Sequence, residues 1–138
     1  MSYVVVGDKI IDSEEILKDI VREFEFKEVK DLSKGSKRED TLIYKIVQEE
    51  DDLKEQLVLQ EMEENLTTEE FIEELMALAD ENIVFIEDVI PEGFICYGYS
   101  YHYDEGLKEV KSIFVAIDEN VGEKKLKEVV NRVLTSVD

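Results

Sequence analysis

The chain has 138 residues, of which 36 are acidic and 16 basic, so its formal net charge is −20 at pH 7. Such a negative surface repels phosphate backbones and anionic lipid head groups, which argues against nucleic-acid binding and against a membrane-surface role. Hydrophobic residues make up 43% of the sequence and proline occurs once, a composition typical of a packed domain rather than a disordered acidic tail. We therefore expect one acidic domain over residues 1–138.

The first half of the chain predicts one helix among short strands. Tyr3–Val6 is a β-branched run typical of a strand. Asp12 followed by Glu15 is a capping-box pattern, which predicts that a helix begins there. Its apolar positions recur at helical spacing and are Ile16, Leu17, Ile20, Val21 and Phe24. Further strands are expected at Phe26–Val29 and Leu42–Gln48.

The segment Glu55–Met62 is ambiguous, because its apolar residues fit both helical and strand periodicity. A comparison of the chain with itself favours strand. Thr67 lies 55 residues after Asp12, and with this offset the apolar positions of the two helices that these residues begin coincide. The order strand–helix–strand–strand then occurs twice, as two βαββ-like halves. An old duplication explains the match, but any two amphipathic helices coincide once their caps are aligned, and we prefer coincidence.

The second half of the chain predicts a second capped helix followed by a strand. Thr67 with Glu70 repeats the capping-box pattern. The apolar positions behind this cap are Phe71, Ile72, Leu75, Met76 and Ala79. The β-branched and aromatic run Ile83–Glu87 then indicates a strand.

The last part of the chain predicts a β-hairpin and a final helix. The strands Phe94–Tyr103 and Val110–Ile117 flank a turn-forming triplet at residues 104–106, so they should pair antiparallel. Asn120 with Glu123 is a third capping-box pattern. The buried stripe of this helix is Leu126, Val129, Val130, Val133 and Leu134. The chain as a whole is expected to be an α+β domain, with three helices on a mainly antiparallel sheet of five to seven strands.

Catalytic and metal chemistry find little support in the sequence. The chain has one histidine, His102, and one cysteine, Cys96. On an extended strand both share a face with Ser100, but no nucleophile elbow or glycine-rich oxyanion loop accompanies them. Structural zinc sites take several nitrogen or sulfur ligands. We therefore assign no catalytic residue, no metal ligand and no cofactor. A lone cysteine and a start unlike a signal peptide favour the cytoplasm.

Clusters of charge allow weaker ion sites. The acidic runs Glu49–Asp52 and Glu61–Glu64 could hold a divalent cation, although neither has the ligand spacing of an EF-hand. Basic residues concentrate in Lys30–Arg38 and in the last helix, whose basic residues are Lys124, Lys125, Lys127 and Arg132. A small anion could bind between these two stretches, against the overall negative field.

The predicted strand Phe94–Tyr103 holds four of the six tyrosines of the chain. Strand alternation places Tyr97, Tyr99, Tyr101 and Tyr103 on one face. Tyrosine is enriched at protein interfaces, because it offers a large contact area, few rotatable bonds and a polar tip. A partly covered row of tyrosines that only stabilises the sheet explains the pattern about equally well.

The leading functional hypothesis is therefore a non-enzymatic protein that binds another protein with a basic surface. It could be an accessory subunit, an assembly factor or an immunity-type inhibitor, and a homodimer is also compatible with the tyrosine face. The acidic surface would raise the association rate and the tyrosines would supply contact area. The alternative is a domain that binds a small ligand or a divalent cation. An enzyme that uses carboxylates alone is the third hypothesis.

Overall fold

The computed structural model describes residues 3–59 and 67–137. This part of the chain is an α+β fold of six strands and four α-helices, and every strand pair is antiparallel, as predicted. The elements are β1 (Tyr3–Val6), β2 (Lys9–Asp12), α1 (Ser13–Glu23), β3 (Glu28–Asp31), β4 (Thr41–Glu49), α2 (Glu50–Leu59), α3 (Thr68–Val84), β5 (Phe94–Asp104), β6 (Glu109–Asp118) and α4 (Glu123–Ser136). Two short 3-10 turns occupy Ser33–Ser36 and Phe85–Val89.

The strands form a small hairpin and a larger sheet. β1 and β2 pair through a turn at Gly7, whose φ of 62° favours glycine. The other four strands lie in the order β3-β4-β6-β5, so β3 and β5 are the edges. The predicted hairpin between β5 and β6 is confirmed, as is the C-terminal helix that follows it.

The four-stranded sheet separates two apolar layers. On one face the buried side chains of β4 and β6 pack against α1, α3 and the β1–β2 hairpin; these are Leu42, Tyr44, Ile46, Phe114 and Ala116. On the other face the intervening residues pack against α4; these are Ile43, Ile113, Val115 and Ile117. Both faces of the two central strands are therefore apolar, as expected for a sheet covered by helices on each side.

The three predicted helices form, but two of their three caps differ from the prediction. Thr67 makes a full capping box with Glu70. Asp12 caps α1 by accepting a hydrogen bond from the Glu14 N–H at 2.9 Å. The prediction that Asn120 caps the third helix is wrong. Gly122, at φ 95°, is the residue that precedes α4, and Asn120 lies in the turn before it.

Two predicted strands are helical instead. The segment Glu55–Met62 continues α2 through Leu59, and its remainder lies outside the described residues. Leu53 and Leu57 of α2 are both buried at helical spacing, in a cluster that includes Leu75 and Leu78 of α3. Helical packing against a neighbouring helix thus decides a segment whose periodicity was ambiguous.

The run Ile83–Glu87 is likewise the end of α3 and the start of a 3-10 turn, and Ile83 and Ile86 are buried there one turn apart. The second half of the described chain therefore lacks the strands that a βαββ repeat requires. β2 was not predicted from the sequence. It is short, and of its two isoleucines Ile10 is exposed and Ile11 is buried.

Candidate functional site

The predicted tyrosine strand, β5, is an edge of the sheet. Over its length of 11 residues it pairs with β6 alone. Its register with β6 places Tyr97 opposite Val115 and Tyr99 opposite Ile113. Since Val115 and Ile113 face α4, both tyrosines lie on the α4 face of the sheet.

A β-bulge interrupts this strand at Tyr101. Ser100 is opposite Ser112 and His102 is opposite Lys111, so β5 has one more residue here than its partner. An inserted residue reverses the side-chain alternation beyond it. As a result, residues after the bulge face the opposite way from the one that regular alternation predicts.

The bulge splits the predicted row of four tyrosines. Tyr97 and Tyr99 are 42% and 41% exposed, and their ring centroids lie 6.5 Å apart. Tyr101 is half-buried against the α4-side cluster. Tyr103 lies on the other face and packs against the cluster of α2 and α3. The prediction that all four share one face is therefore wrong for Tyr103.

Tyr103 has a structural environment of its own. Its hydroxyl donates a hydrogen bond to Oε1 of Glu50, a buried carboxylate at the start of α2. The bond to Glu50 raises the pKa of Tyr103 to about 12, and in return it holds the pKa of Glu50 below its usual value. Lys54 also contacts Glu50, at 3.3 Å. Tyr103 thus anchors α2 to the sheet.

The small residues of β5 allow α3 to approach the sheet closely. A Cβ atom at Gly98 would lie 2.8 Å from Cδ1 of Ile83 in α3, closer than side-chain atoms pack. The Ser100 hydroxyl hydrogen-bonds to the Ser112 hydroxyl at 2.8 Å. This face of β5 is therefore occupied, and any partner must use the α4 face or the free edge.

The free edge of β5 is capped at one point and open beside it. The Ser100 N–H donates to Oδ1 of Asp80 in α3 at 2.6 Å, so it points away from β6. Backbone groups alternate along an antiparallel strand, which directs the N–H and C=O groups of Cys96 and Gly98 outward as well. Among the described residues Asp80 accepts this bond from Ser100 alone, and we infer that the part of β5 before Ser100 presents its backbone at the edge of the sheet.

A groove runs along this open edge, with a volume of about 390 Å³. Cys96 and Tyr97 both line it although they face opposite sides of the sheet, so the groove crosses the free edge of the strand. Glu87 bounds it on one side and Glu123 and Lys127 of α4 bound it on the other. We call this feature the β5 groove. Its walls combine tyrosine, apolar side chains and two carboxylates.

Cys96 and His102 do not form a reactive centre. Burial and the neighbouring Glu87 raise the pKa of the Cys96 thiol to about 12, so it stays protonated. The bulge places His102 opposite Lys111, on the α4 face, whereas Ser100 points toward Ser112 on the α3 face. The prediction that Cys96, Ser100 and His102 share a face is wrong for His102.

The acidic runs offer no assembled cation site in the described chain. Across residues 3–59 and 67–137, three His, Cys, Asp or Glu side chains nowhere converge as metal ligands. Glu50, from the run Glu49–Asp52, is engaged by Tyr103 and Lys54. The run Glu61–Glu64 lies outside the described residues. Within those same limits, each helix is too short or too polar to cross a bilayer.

A second exposed aromatic group lies away from β5. Phe24 and Phe26 stack with centroids 5.5 Å apart, and with Phe85 they line a small cavity of about 170 Å³. Phe85 is 58% exposed. The sequence pattern does not reveal this group, because Phe24 fits the apolar positions of the first predicted helix and Phe85 fits the predicted strand Ile83–Glu87. Among its described lining residues only Gln48 belongs to a strand, β4, and the group serves below as a control site.

Comparison with known proteins adds no further guidance: no protein-family model, no curated protein and no solved structure matches this chain.

Proposed function

We propose that this protein is a non-enzymatic binding module for a basic partner protein, and that the partner's extended segment adds to the edge of β5. The observation that supports this most is the exposed pair Tyr97 and Tyr99 beside the open backbone of Cys96 and Gly98. An extended peptide that adds to a sheet edge gains affinity from main-chain hydrogen bonds and specificity from side-chain contacts. The β5 groove offers both kinds of contact.

Charge selects the kind of partner. The chain carries −20 overall, and Glu87 and Glu123 flank the groove. Lys127 is the only basic residue among the described groove-lining residues. A segment with Lys or Arg at alternate positions would meet these carboxylates while its backbone pairs with β5. A second copy of this chain would also carry a net charge of −20, so long-range repulsion opposes the pairing of two copies at this edge.

The two tyrosines would supply contact energy at low entropic cost. The two rings lie side by side with centroids 6.5 Å apart, and a tyrosine side chain has only two torsion angles to immobilise on binding. Aromatic residues in the centre of an interface commonly contribute about 2 kcal/mol or more each when truncated. The edge that a long exposed strand leaves open would otherwise favour aggregation, and a partner strand removes that liability.

Site-specific photo-crosslinking tests the proposal. A p-benzoylphenylalanine in place of Tyr97 is irradiated in lysate of cells that natively produce the protein, at low and at moderate salt, and adducts are identified by mass spectrometry. The matched control carries the same crosslinker in place of Phe85. We expect one dominant adduct to a basic protein from position 97 and not from position 85, with a yield that falls as salt rises.

Three results would overturn the proposal. Position 97 could give no adduct at either salt, or both positions could give the same set of adducts, which is the pattern of random collision. An adduct between two copies of this chain would assign the edge to a homodimer instead. Mapping the crosslinked peptide of the partner provides a further check, because it should be an extended, basic segment.

A further inference from the structure

A second cavity lies near the opposite edge of the four-stranded sheet from the β5 groove, on the face that α4 covers. It has a volume of about 370 Å³ and lies between strands β3 and β4, the turn Ser33–Ser36 and the second half of α4. This is within the size range of small-molecule sites. We call it the basic cavity, for the residues that line it.

Four basic side chains line this cavity: Lys30, Arg38, Lys45 and Arg132. They come from β3, from the loop before β4, from β4 itself and from α4. They are a quarter of the 16 basic residues in a chain that has 36 acidic ones. A chance arrangement on so acidic a chain would surround each of them with carboxylates. The fold instead places Lys30 and Arg38 of the first basic stretch close to Arg132 of the last helix.

Lys30 and Lys45 are direct cross-strand partners in the register of β3 and β4. Their side chains therefore project from the same face of the sheet, the face that α4 covers, with Cβ atoms about 5 Å apart. Like charges directly opposite one another destabilise a sheet. Within the described part of the chain neither lysine forms an ion pair, and the same holds for Arg132.

Among the described residues that line the cavity, the one carboxylic acid is Asp31, and it is engaged by other partners. Asp31 accepts hydrogen bonds from the Ser13 hydroxyl at 2.6 Å and from the Ser33 N–H at 2.9 Å. Ser13 begins α1, so this carboxylate is directed to the face of the sheet opposite α4. Arg38 is the only lining cation with an acidic partner in the described residues, Asp40 at 2.8 Å.

The remaining lining combines an apolar wall with small residues. The apolar wall consists of Leu32 and Ile43 from the sheet side, Val129 and Val133 from α4, and Val137 directly after it; Gly35, Ser36 and Ser136 also line the cavity. A cavity that combines unpaired cations with an apolar wall fits a ligand that has an anionic head and an apolar body. Three unpaired cations call for more than one negative charge, and a phosphate monoester carries about −1.5 to −2 at pH 7.

We propose that the basic cavity binds a small organic phosphate, whose phosphate lies between Lys30, Lys45 and Arg132 and whose apolar body packs against α4. This site shares no lining residue with the β5 groove, and it does not depend on the function proposed for that groove. A competing explanation is purely structural: cations near the C-terminal end of α4 would stabilise the negative end of its dipole.

A matched ligand pair separates charge from apolar contact. ¹⁵N-labelled protein is titrated with 1-naphthyl phosphate and, separately, with 1-naphthol, and backbone amide shifts are followed by NMR. We expect saturable shifts at Lys30, Arg38, Lys45 and Arg132 with the phosphate and none at these positions with the alcohol at equal concentration. No saturable shift with the phosphate overturns the proposal, and equal shifts with both compounds overturn it as well.

A matched pair of variants tests the residues. The double variant Lys30→Met and Lys45→Met should weaken 1-naphthyl phosphate binding by about a hundredfold, since each charged contact contributes about tenfold. The control, Lys9→Met and Lys124→Met, removes two exposed lysines that line neither site, changes the net charge equally and should retain the affinity within about twofold. Equal weakening in both variants would show that only overall charge matters and would contradict the proposal.

Thermal melts of the corresponding single variants test the structural explanation. If Lys30 and Lys45 repel each other in the absence of a ligand, the single variant Lys45→Met should melt at the same temperature as the parent or higher. The variant Lys124→Met is its control. A melting temperature for Lys45→Met clearly below that of the control would mean that the lysines serve the fold, and would overturn a site kept for a ligand.

Discussion

The two edges of the four-stranded sheet present surfaces of different charge and shape. Beside β5 the sheet ends in a strand of 11 residues with two exposed tyrosines and flanking glutamates. Beside β3 it ends in a strand of four residues, over which unpaired lysines and an arginine surround a cavity. The net charge of −20 therefore averages over an uneven distribution of charge. Most acidic residues are dispersed, whereas a quarter of the basic residues line one cavity. A mean charge says little about the chemistry of any one surface.

A single helix takes part in both sites. The first turns of α4 border the β5 groove through Glu123 and Lys127, and its second half lines the basic cavity through Val133 and Arg132. The buried stripe between them packs on the central strands and fixes the two sites relative to each other. The following variants change the region around β5 and should leave the basic cavity intact.

The largest effect is expected where α3 fixes the strand of the β5 groove. The variant Gly98→Val places a side chain against Ile83, where even a Cβ atom would be 2.8 Å from Cδ1. We expect a loss of about 3 kcal/mol in the free energy of unfolding, because overpacking a dense core forces side chains and backbone to shift. Urea denaturation measures the loss.

The control for this variant is Gly106→Ala in the hairpin turn, where the nearest atom to a Cβ is 3.5 Å away. If Gly98→Val is no more destabilising than this control, the close contact with α3 is not what holds β5. Combining Gly98→Val with Ile83→Ala should cost less than the sum of the two single losses, since the smaller residue makes room.

The next effect belongs to Tyr103, which regular alternation would place beside the exposed tyrosines. Tyr103→Phe leaves the buried Glu50 without its hydroxyl partner, and we expect a loss of about 1–3 kcal/mol at neutral pH. Tyr99→Phe removes an exposed hydroxyl and should change stability by less than about 0.5 kcal/mol. Equal losses in the two variants would contradict the division of the tyrosines by the bulge.

The same bond makes stability depend on pH in a defined direction. The pKa of Glu50 is lower in the folded than in the unfolded chain, so its contribution is present above the unfolded pKa and is lost as the pH falls through the folded one. The pKa of Tyr103 is raised to about 12, so its contribution is complete below about pH 10 and is lost as the pH rises through 12. The stability difference between the parent and Tyr103→Phe should therefore shrink in acid and in strong alkali. A difference that stays constant in acid would contradict this account.

A smaller effect on stability is expected at the exposed pair. The double variant Tyr97→Ser and Tyr99→Ser loses a partly exposed ring contact, which corresponds to about 1 kcal/mol. Its expected effect on binding is much larger, with loss of the basic partner identified by crosslinking. Phe85→Ser is the control, because it removes an aromatic ring that is more exposed than either tyrosine and lies away from the groove. Partner binding that survives in the tyrosine variant and not in the control would reverse the assignment.

The smallest effect is that of salt. Self-repulsion among dispersed acids should be relieved by added KCl, so the melting temperature should rise, by the equivalent of less than about 1 kcal/mol. A flat or falling trend would show that the carboxylates are already balanced by local partners.

Local signals in the sequence predicted much of the fold. The Thr67 capping box, the apolar stripe of α4 and the turn between β5 and β6 each depend on residues close together in the chain, and each forms. The failures depend on packing between distant segments. Leu53 and Leu57 make a helix because α3 lies against them, and the bulge at Tyr101 is visible only in the register with β6.

The sites follow the same rule. The sequence indicated which strand holds the tyrosines, but it did not show that this strand is an edge. It also named the two basic stretches, yet the pairing of Lys30 with Lys45 depends on strand register, and the approach of Arg132 depends on how α4 crosses the sheet. Neither can be read from spacing along the chain.

Amide hydrogen exchange of the free protein tests the central claim, that the β5 edge is open, most directly. The N–H groups of Tyr97 and Tyr99 point to β6 and should exchange slowly, and that of Ser100 should be protected by Asp80. The N–H groups of Cys96 and Gly98 should exchange fast, close to the rate of exposed turns. Slow exchange at all five positions would mean that the edge is already covered, and would contradict the account.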